Sequence, residues 1–169
     1  MSLTDLSWLA VAAYGLHILE EYTFDWRNWA RNVLTLPVEW DHFYVTNALV
    51  IVLGVAAAEL AATQPMLALA FPAVMLINAT FFHVGPFLVT RGRFSPGLIT
   101  AVALFYPIGI ACFRRAAADA HLDAGTLAGA LLLGALLMAA PVIMLKLKDR
   151  ANFRQDRPRS EAREERAPS

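Results

Sequence analysis

The chain is 169 residues long and 58% hydrophobic, with a mean hydropathy of +0.51. A soluble domain is about 45–50% apolar, and the excess here comes in long blocks, which argues for one membrane domain and against a soluble globule. Fourteen Lys and Arg offset fourteen Asp and Glu, so no net basic charge is available to draw nucleic acid, and the single cysteine, Cys112, excludes an intrachain disulfide framework and a Cys-rich zinc site.

A helix crossing about 30 Å of hydrocarbon needs roughly 20 mostly apolar residues. The first candidate, residues 3–22, is polar at its end. It lacks a basic start and a small-residue cleavage site, so it reads as a retained helix and not a cleaved signal. Residues 23–40 carry Trp26, Trp29 and Trp40 beside Arg27 and Arg31, the pattern of a short helix or loop in the headgroup zone, ending at Pro37. The second span covers 41–62 and the third 65–89, with a tight break at Thr63-Gln64-Pro65 and Pro72 inside the third. Ser95 and Pro96 read as the N-cap and first position of a fourth span, 96–113, kinked at Pro107. The fifth, 124–145, contains Gly125-x-x-x-Gly129, small residues that permit close helix contact. Residues 146–169 are rich in Arg, Glu and Pro without hydrophobic periodicity, and are expected to form a disordered charged tail. The expected architecture is all-α: a membrane bundle of about five transmembrane helices, residues 1–145, with an interfacial helix or loop after the first.

Lys and Arg in short loops set orientation. The loops after spans one and three share a side with the tail and carry Arg27, Arg31, Arg91, Arg93 and the basic run from Lys146, against only Arg114 and Arg115 opposite. The expectation is a multi-pass inner-membrane protein with its N-terminus out and its C-terminus cytoplasmic. Up-and-down order then brings scattered polar residues to one depth near the cytoplasmic face: His17, Glu20 and Glu21 from span one, Asp41, His42 and Asn47 from span two, Asn78, Thr80 and His83 from span three, and Thr100 from span four.

His17-Ile18-Leu19-Glu20-Glu21 is the densest of these. At 100° per residue, its imidazole and two carboxylates share an arc of about 100° on one helix face. Ionisable groups inside a membrane are costly and therefore point to function. His17 and Glu21 have the i, i+4 spacing of the helix-borne ligands of a zinc hydrolase, close to an H-x-x-E-H pattern with Glu as its last residue. On this reading His17, Glu21 and His83 hold a divalent metal, zinc among the candidates, and Glu20 is the general base. Asp41, His42, Asn47, Asn78 and Thr100 are supporting groups, Asp41 or Asn78 by orienting an imidazole. The bilayer surrounds the site, so the expected substrate is a lipid or other apolar molecule. Three other readings use the same residues: a metal-free His/Glu acid–base isomerase of an isoprenoid- or sterol-like lipid, a binding or transport protein for an ion or small molecule, and an i, i+3 pair that only packs helices. Composition and spacing leave the oligomeric state open.

These residues resemble the HXXEE family of small bacterial membrane proteins, whose first motif is His17 to Glu21. The family also has N-x-x-x-H and Y-x-P-G motifs. Phe94-Ser95-Pro96-Gly97 resembles the last, with Phe in place of Tyr. Asn78 and His83 resemble the other but stand one residue further apart, a change that a π-bulge would bring back into phase. The resemblance implies a membrane protein suspected to be an enzyme, without an established activity or substrate.

Overall fold

A computed structural model describes residues 1–147, and among them there are six helices and no strand. α1 (Leu3–Thr23) starts from a reciprocal cap, in which Ser2 Oγ accepts from the Asp5 amide at 3.1 Å and Asp5 Oδ2 accepts from the Ser2 amide at 2.8 Å. α2 (Trp26–Val33) buries Trp29 and Ala30 against Val38 in a small apolar cluster of its own. Its Arg27 and Arg31 pair with Glu39, and those bonds, Arg27's first, hold the Glu39 carboxyl below its usual range. α3 (Trp40–Leu60) follows directly, and His42 Nδ1 accepts from the Glu39 amide at 3.1 Å at its start.

α4 (Pro65–Val89) and α5 (Leu98–Ala118) each run through a widened π segment, Ala79–Val84 in one and Ala101–Phe105 in the other. Both segments end one residue before the dipeptide that contains a proline, Gly85-Pro86 and Tyr106-Pro107 respectively. A proline inside a helix donates no N–H, and its ring collides with the carbonyl four residues back. Widening the turn relieves that collision. The amides of Gly85 and Tyr106 reach back five residues to the carbonyls of Thr80 and Ala101. The expected kink at Pro107 is thus realised as a π turn, and α5 continues past Arg114 and Arg115 instead of ending at residue 113. α6 (Ala124–Leu147) closes the described chain. Lys146 and Leu147, assigned to the tail from sequence, continue this helix, and the rest of the expected disordered tail lies outside the described residues.

α4 is the central rod. It packs against α1, α3, α5 and α6, and 61% of its apolar stretch is buried, against 28% for α3, 22% for α5 and 11% for α6. The α4–α6 contact is the most extensive in the bundle, and small residues make it possible. A Cβ on Gly134 would stand 2.7 Å from Ala73 Cβ and 3.1 Å from the Ala70 carbonyl. Gly125, expected at this contact, would meet only Asp123 Oδ1 at 3.5 Å. The close approach runs through Gly129 and Gly134, about one and two and a half turns further along.

Four helices, α3 to α6, are long and apolar enough to cross a membrane. The sequence suggested about five. α1 matches α3 in length, at 21 residues, and packs along it, but Asp5, Glu20 and Glu21 lower its hydropathy. Its two glutamates are buried inside the bundle, so the polarity of α1 is turned toward protein and not toward lipid.

Gly134→Val forces α6 off α4. A destabilisation of about 1–3 kcal/mol is expected, read as a lower thermal midpoint in detergent, while Gly125→Val leaves the midpoint within error of the parent.

Candidate metal centre

The buried face of α1 is a single stripe: Leu3, Leu6, Ser7, Ala10, Ala13, Tyr14, His17, Glu20 and Glu21. Helical periodicity explains it, since the spacing of three and four keeps one side of the helix inward. The first four turns fill that stripe with small and apolar groups, and the last turn and a half fill it with an imidazole and two carboxylates. The H-x-x-E-E run is therefore a set of core positions near one end of the bundle.

His83 arrives from the π segment of α4. His17 and His83 are both fully buried, at 0% exposure, and their rings meet edge to face with centroids 4.7 Å apart and planes at 86°. Glu21 Oε1 lies 3.6 Å from His17 Nε2 and 3.5 Å from His83 Nε2. One ligand atom from each of the three residues falls within 4.8 Å of the others. Among the described residues neither Nε2 has a hydrogen-bond partner, and neither oxygen of Glu21 receives a hydrogen bond. Leaving a buried polar atom unpaired costs about 1–3 kcal/mol, and here two such atoms aim at one carboxylate oxygen.

The outer sides of the rings are tied down. His17 Nδ1 lies 2.8 Å from Thr100 Oγ1, and His83 Nδ1 lies 3.0 Å from Ser95 Oγ. Phe105 lies against His17 at 4.3 Å and stacks on Tyr14 at 5.3 Å, so the His17 ring is held from one side by an aromatic pile. The segment between α4 and α5 forms the roof. Gly97 has φ +95°, and a Cβ there would stand 2.5 Å from His83 Cε1 and 2.7 Å from His17 Cε1. Only glycine fits, for backbone and for space.

Glu20, expected as general base, points the other way along this roof. Its Oε1 accepts from the amides of Gly97 at 3.1 Å and Ile99 at 3.0 Å. Its Oε2 accepts from the Thr100 amide at 2.7 Å and the Thr100 hydroxyl at 2.6 Å. This carboxylate fills the N-terminus of α5, where free amides and the helix dipole favour an anion. Ser95, expected to cap that helix, does not. The cap position is Gly97, and the Ser95 hydroxyl instead joins His83 and the Phe82 carbonyl.

The structure thus brings together His17, Glu20, Glu21, His83 and Thr100. It does not bring the other expected supporting groups to them. Asp41 is exposed and accepts from the His42 amide at 2.8 Å, and His42 belongs to the start of α3. Asn47 and Asn78 are buried but make no hydrogen bond to the cluster, and Asn78 Oδ1 is itself unpaired. The extra residue between Asn78 and His83 is absorbed by the π segment, whose i to i+5 bonding returns residue i+5 to the place of i+4. Ser95, Gly97 and Phe105 had no assigned part in the site. The Phe-Ser-Pro-Gly motif signalled the first two, whereas nothing local marks Phe105.

Residues 8–112 match the family described as "Protein of unknown function with HXXEE motif". The chain belongs to the HXXEE family. The match takes in every member of the cluster of this HXXEE protein and the whole of α4. No curated protein and no solved structure matches it.

Gly97→Ala should cost more than Gly92→Ala, although both glycines have φ +95°. At Gly92 the new methyl meets only Phe87 Cζ at 4.0 Å, leaving backbone strain of about 1–2 kcal/mol. At Gly97 the collision with two buried rings adds to it. Paired unfolding measurements in detergent check the difference, which should exceed about 1 kcal/mol.

Proposed function

We propose that this HXXEE protein is an inner-membrane enzyme whose His17, Glu21 and His83 hold a divalent metal, and that it hydrolyses a lipid or other apolar substrate. One observation carries the reading: two unpaired, buried Nε2 atoms lie 3.5 and 3.6 Å from the same carboxylate oxygen. A proton shared within such a pair would draw it to about 2.7–2.9 Å. Donor atoms about 2.1 Å from a metal at tetrahedral angles stand about 3.4 Å apart. The spacing favours a metal over a proton, and so favours this reading over a metal-free isomerase.

Two imidazoles and one carboxylate form a donor set used by catalytic zinc and by non-haem iron(II), with positions left for water and substrate. When bound, such a metal polarises a carbonyl or phosphoryl oxygen and brings the pKa of water near 7. The protein's residues supply the rest. His17 and His83 are fully enclosed, while the Glu21 side chain keeps 6% exposure, so a reacting group would approach beside Glu21. The second Glu21 oxygen, which meets no donor among the described residues, is the group placed to take up a proton. Glu20 has both oxygens engaged and serves as a structural anchor in this proposal. The polar cluster stands within the last two turns of α1, and His83 is about 9 Å inside the end of α4. This depth suits a substrate whose tail lies in the bilayer and whose polar head reaches the interface. The distribution of Lys and Arg supports a cytoplasmic opening, with the N-terminus outside.

Metal analysis of the detergent-purified protein tests the reading. About one zinc or iron per chain is expected, falling at least about tenfold in His17→Ala, His83→Ala and Glu21→Gln. Hydrolysis of a fluorogenic lipid ester should follow the metal content. Sub-stoichiometric metal that His17→Ala leaves unchanged would overturn the metal centre, and isomerisation of a lipid that proceeds without ester cleavage and survives chelation would favour the metal-free isomerase.

A further inference from the structure

Thr100 Oγ1 has three polar neighbours: Glu20 Oε2 at 2.6 Å, the Gly97 carbonyl at 3.2 Å and His17 Nδ1 at 2.8 Å. A hydroxyl has one proton to donate. The carboxylate and the carbonyl can only accept, and the shortest contact is the charge-assisted one to Glu20. Three backbone amides from the start of α5 also donate to Glu20, so that both of its oxygens act as acceptors. The Thr100 proton is therefore committed, and His17 Nδ1 must be the donor to the hydroxyl oxygen. Ser95 repeats the pattern. Its oxygen lies 3.3 Å from the Phe82 carbonyl, a group that can only accept, and 3.0 Å from His83 Nδ1, which is the donor when the hydroxyl proton goes to that carbonyl. With both Nδ1 atoms protonated, both neutral rings present a bare lone pair at Nε2. Those lone pairs and Glu21 Oε1 are three acceptors facing one point with no hydrogen between them.

We propose that residues 95–100 are the device that sets the tautomer of both imidazoles, with Glu20 as its positioning residue. The hydroxyl that fixes one ring and the hydroxyl that fixes the other are five positions apart in sequence, and Gly97 lets the backbone between them pass against both rings. Glu20 clamps this segment to α1, the helix that also carries His17 and Glu21. One helix thus supplies two of the three acceptors and the anchor that orients the third through its loop. The purpose of the arrangement rests on the metal reading above, because an inward lone pair is what a ligating imidazole needs. The arrangement of protons does not rest on it.

Histidine ¹⁵N NMR of the metal-free, full-length protein in detergent reads this directly, at about pH 8 where neutral rings dominate. Both His17 and His83 should be Nδ1–H tautomers. Thr100→Val should release His17 alone into a mixture, Ser95→Ala should release His83 alone, and Thr100→Ser should keep the parent spectrum. Glu20→Ala should release His17 although Thr100 is intact. If that variant fails to fold, the Thr100 pair still decides. An Nε2–H tautomer in the parent, or a His17 signal indifferent to Thr100→Val, overturns the proposal. Zinc titration then separates the two readings: Thr100→Val should weaken zinc binding by about 10–100-fold. A parent protein that binds no zinc but shows the expected tautomers sinks the metal centre and leaves the tautomer device standing.

Discussion

One buried carboxylate, Glu20, joins the first helix to the start of the fifth, and the rest of the site depends on it. Four donors from Gly97, Ile99 and Thr100 converge on its two oxygens. Without it, α5 would begin with unpaired amides in a buried setting, where each costs about 1–3 kcal/mol. With it, an anion that a membrane interior would otherwise reject is satisfied by a helix N-terminus. Two liabilities cancel at one place. The same contact fixes the axial register of α1 against α5, and so fixes how far His17 lies from the Ser95–Gly97 roof.

Glu21, one residue further along the chain, has the opposite setting. It receives no hydrogen bond from the described residues and faces two unpaired imidazole nitrogens. Adjacent residues on a helix differ by about 100°, enough to send one carboxylate to the α5 terminus and the other to the histidines. The doubled glutamate of the motif is therefore two devices. One gives its charge to the backbone, and the other leaves it available.

Much of this was legible in the sequence, because helical periodicity and the cost of intramembrane charge are local properties. The bundle, the H-x-x-E-E face, the partnership with His83 and the part of Thr100 follow from spacing and up-and-down order alone. The bounds that failed had non-local causes. The cap of α5 comes from a side chain 77 residues away in sequence, so Ser95-Pro96 looked like a local cap when it was not. Asp41 and His42 share a depth with the site, but they are used at the start of α3, and depth does not fix the direction a side chain faces. The approach of α6 to α4 follows Gly134 because Ala70 and Ala73 stand opposite it, a pairing no single helix records. α1 fell short as a span by its own composition because two of its three carboxylates are spent inside the protein.

Departures from regular structure gather where the cluster is. A π segment carries His83 and another carries Phe105, a left-handed glycine separates the rings from the backbone, and two carboxylates and two imidazoles occupy core positions. Each costs stability, and an apolar core of equal volume would cost none of it. Elsewhere the helices themselves follow local rules more closely, with side-chain caps at the starts of α1, α2 and α6 and small residues at tight crossings, while the left-handed residues Asp25, Thr35, Arg91 and Ala120 lie outside the helices. Irregularity within the core is concentrated at the cluster, and such a concentration marks what the fold is carrying. A pair that only packed two helices would need one imidazole and one carboxylate within hydrogen-bonding reach. It would not need a second imidazole at right angles to the first, a glycine admitting both, or two hydroxyls holding their far nitrogens. The separation of 3.5 and 3.6 Å across the centre is the feature a packing role explains least, since protein groups seeking one another would have closed it.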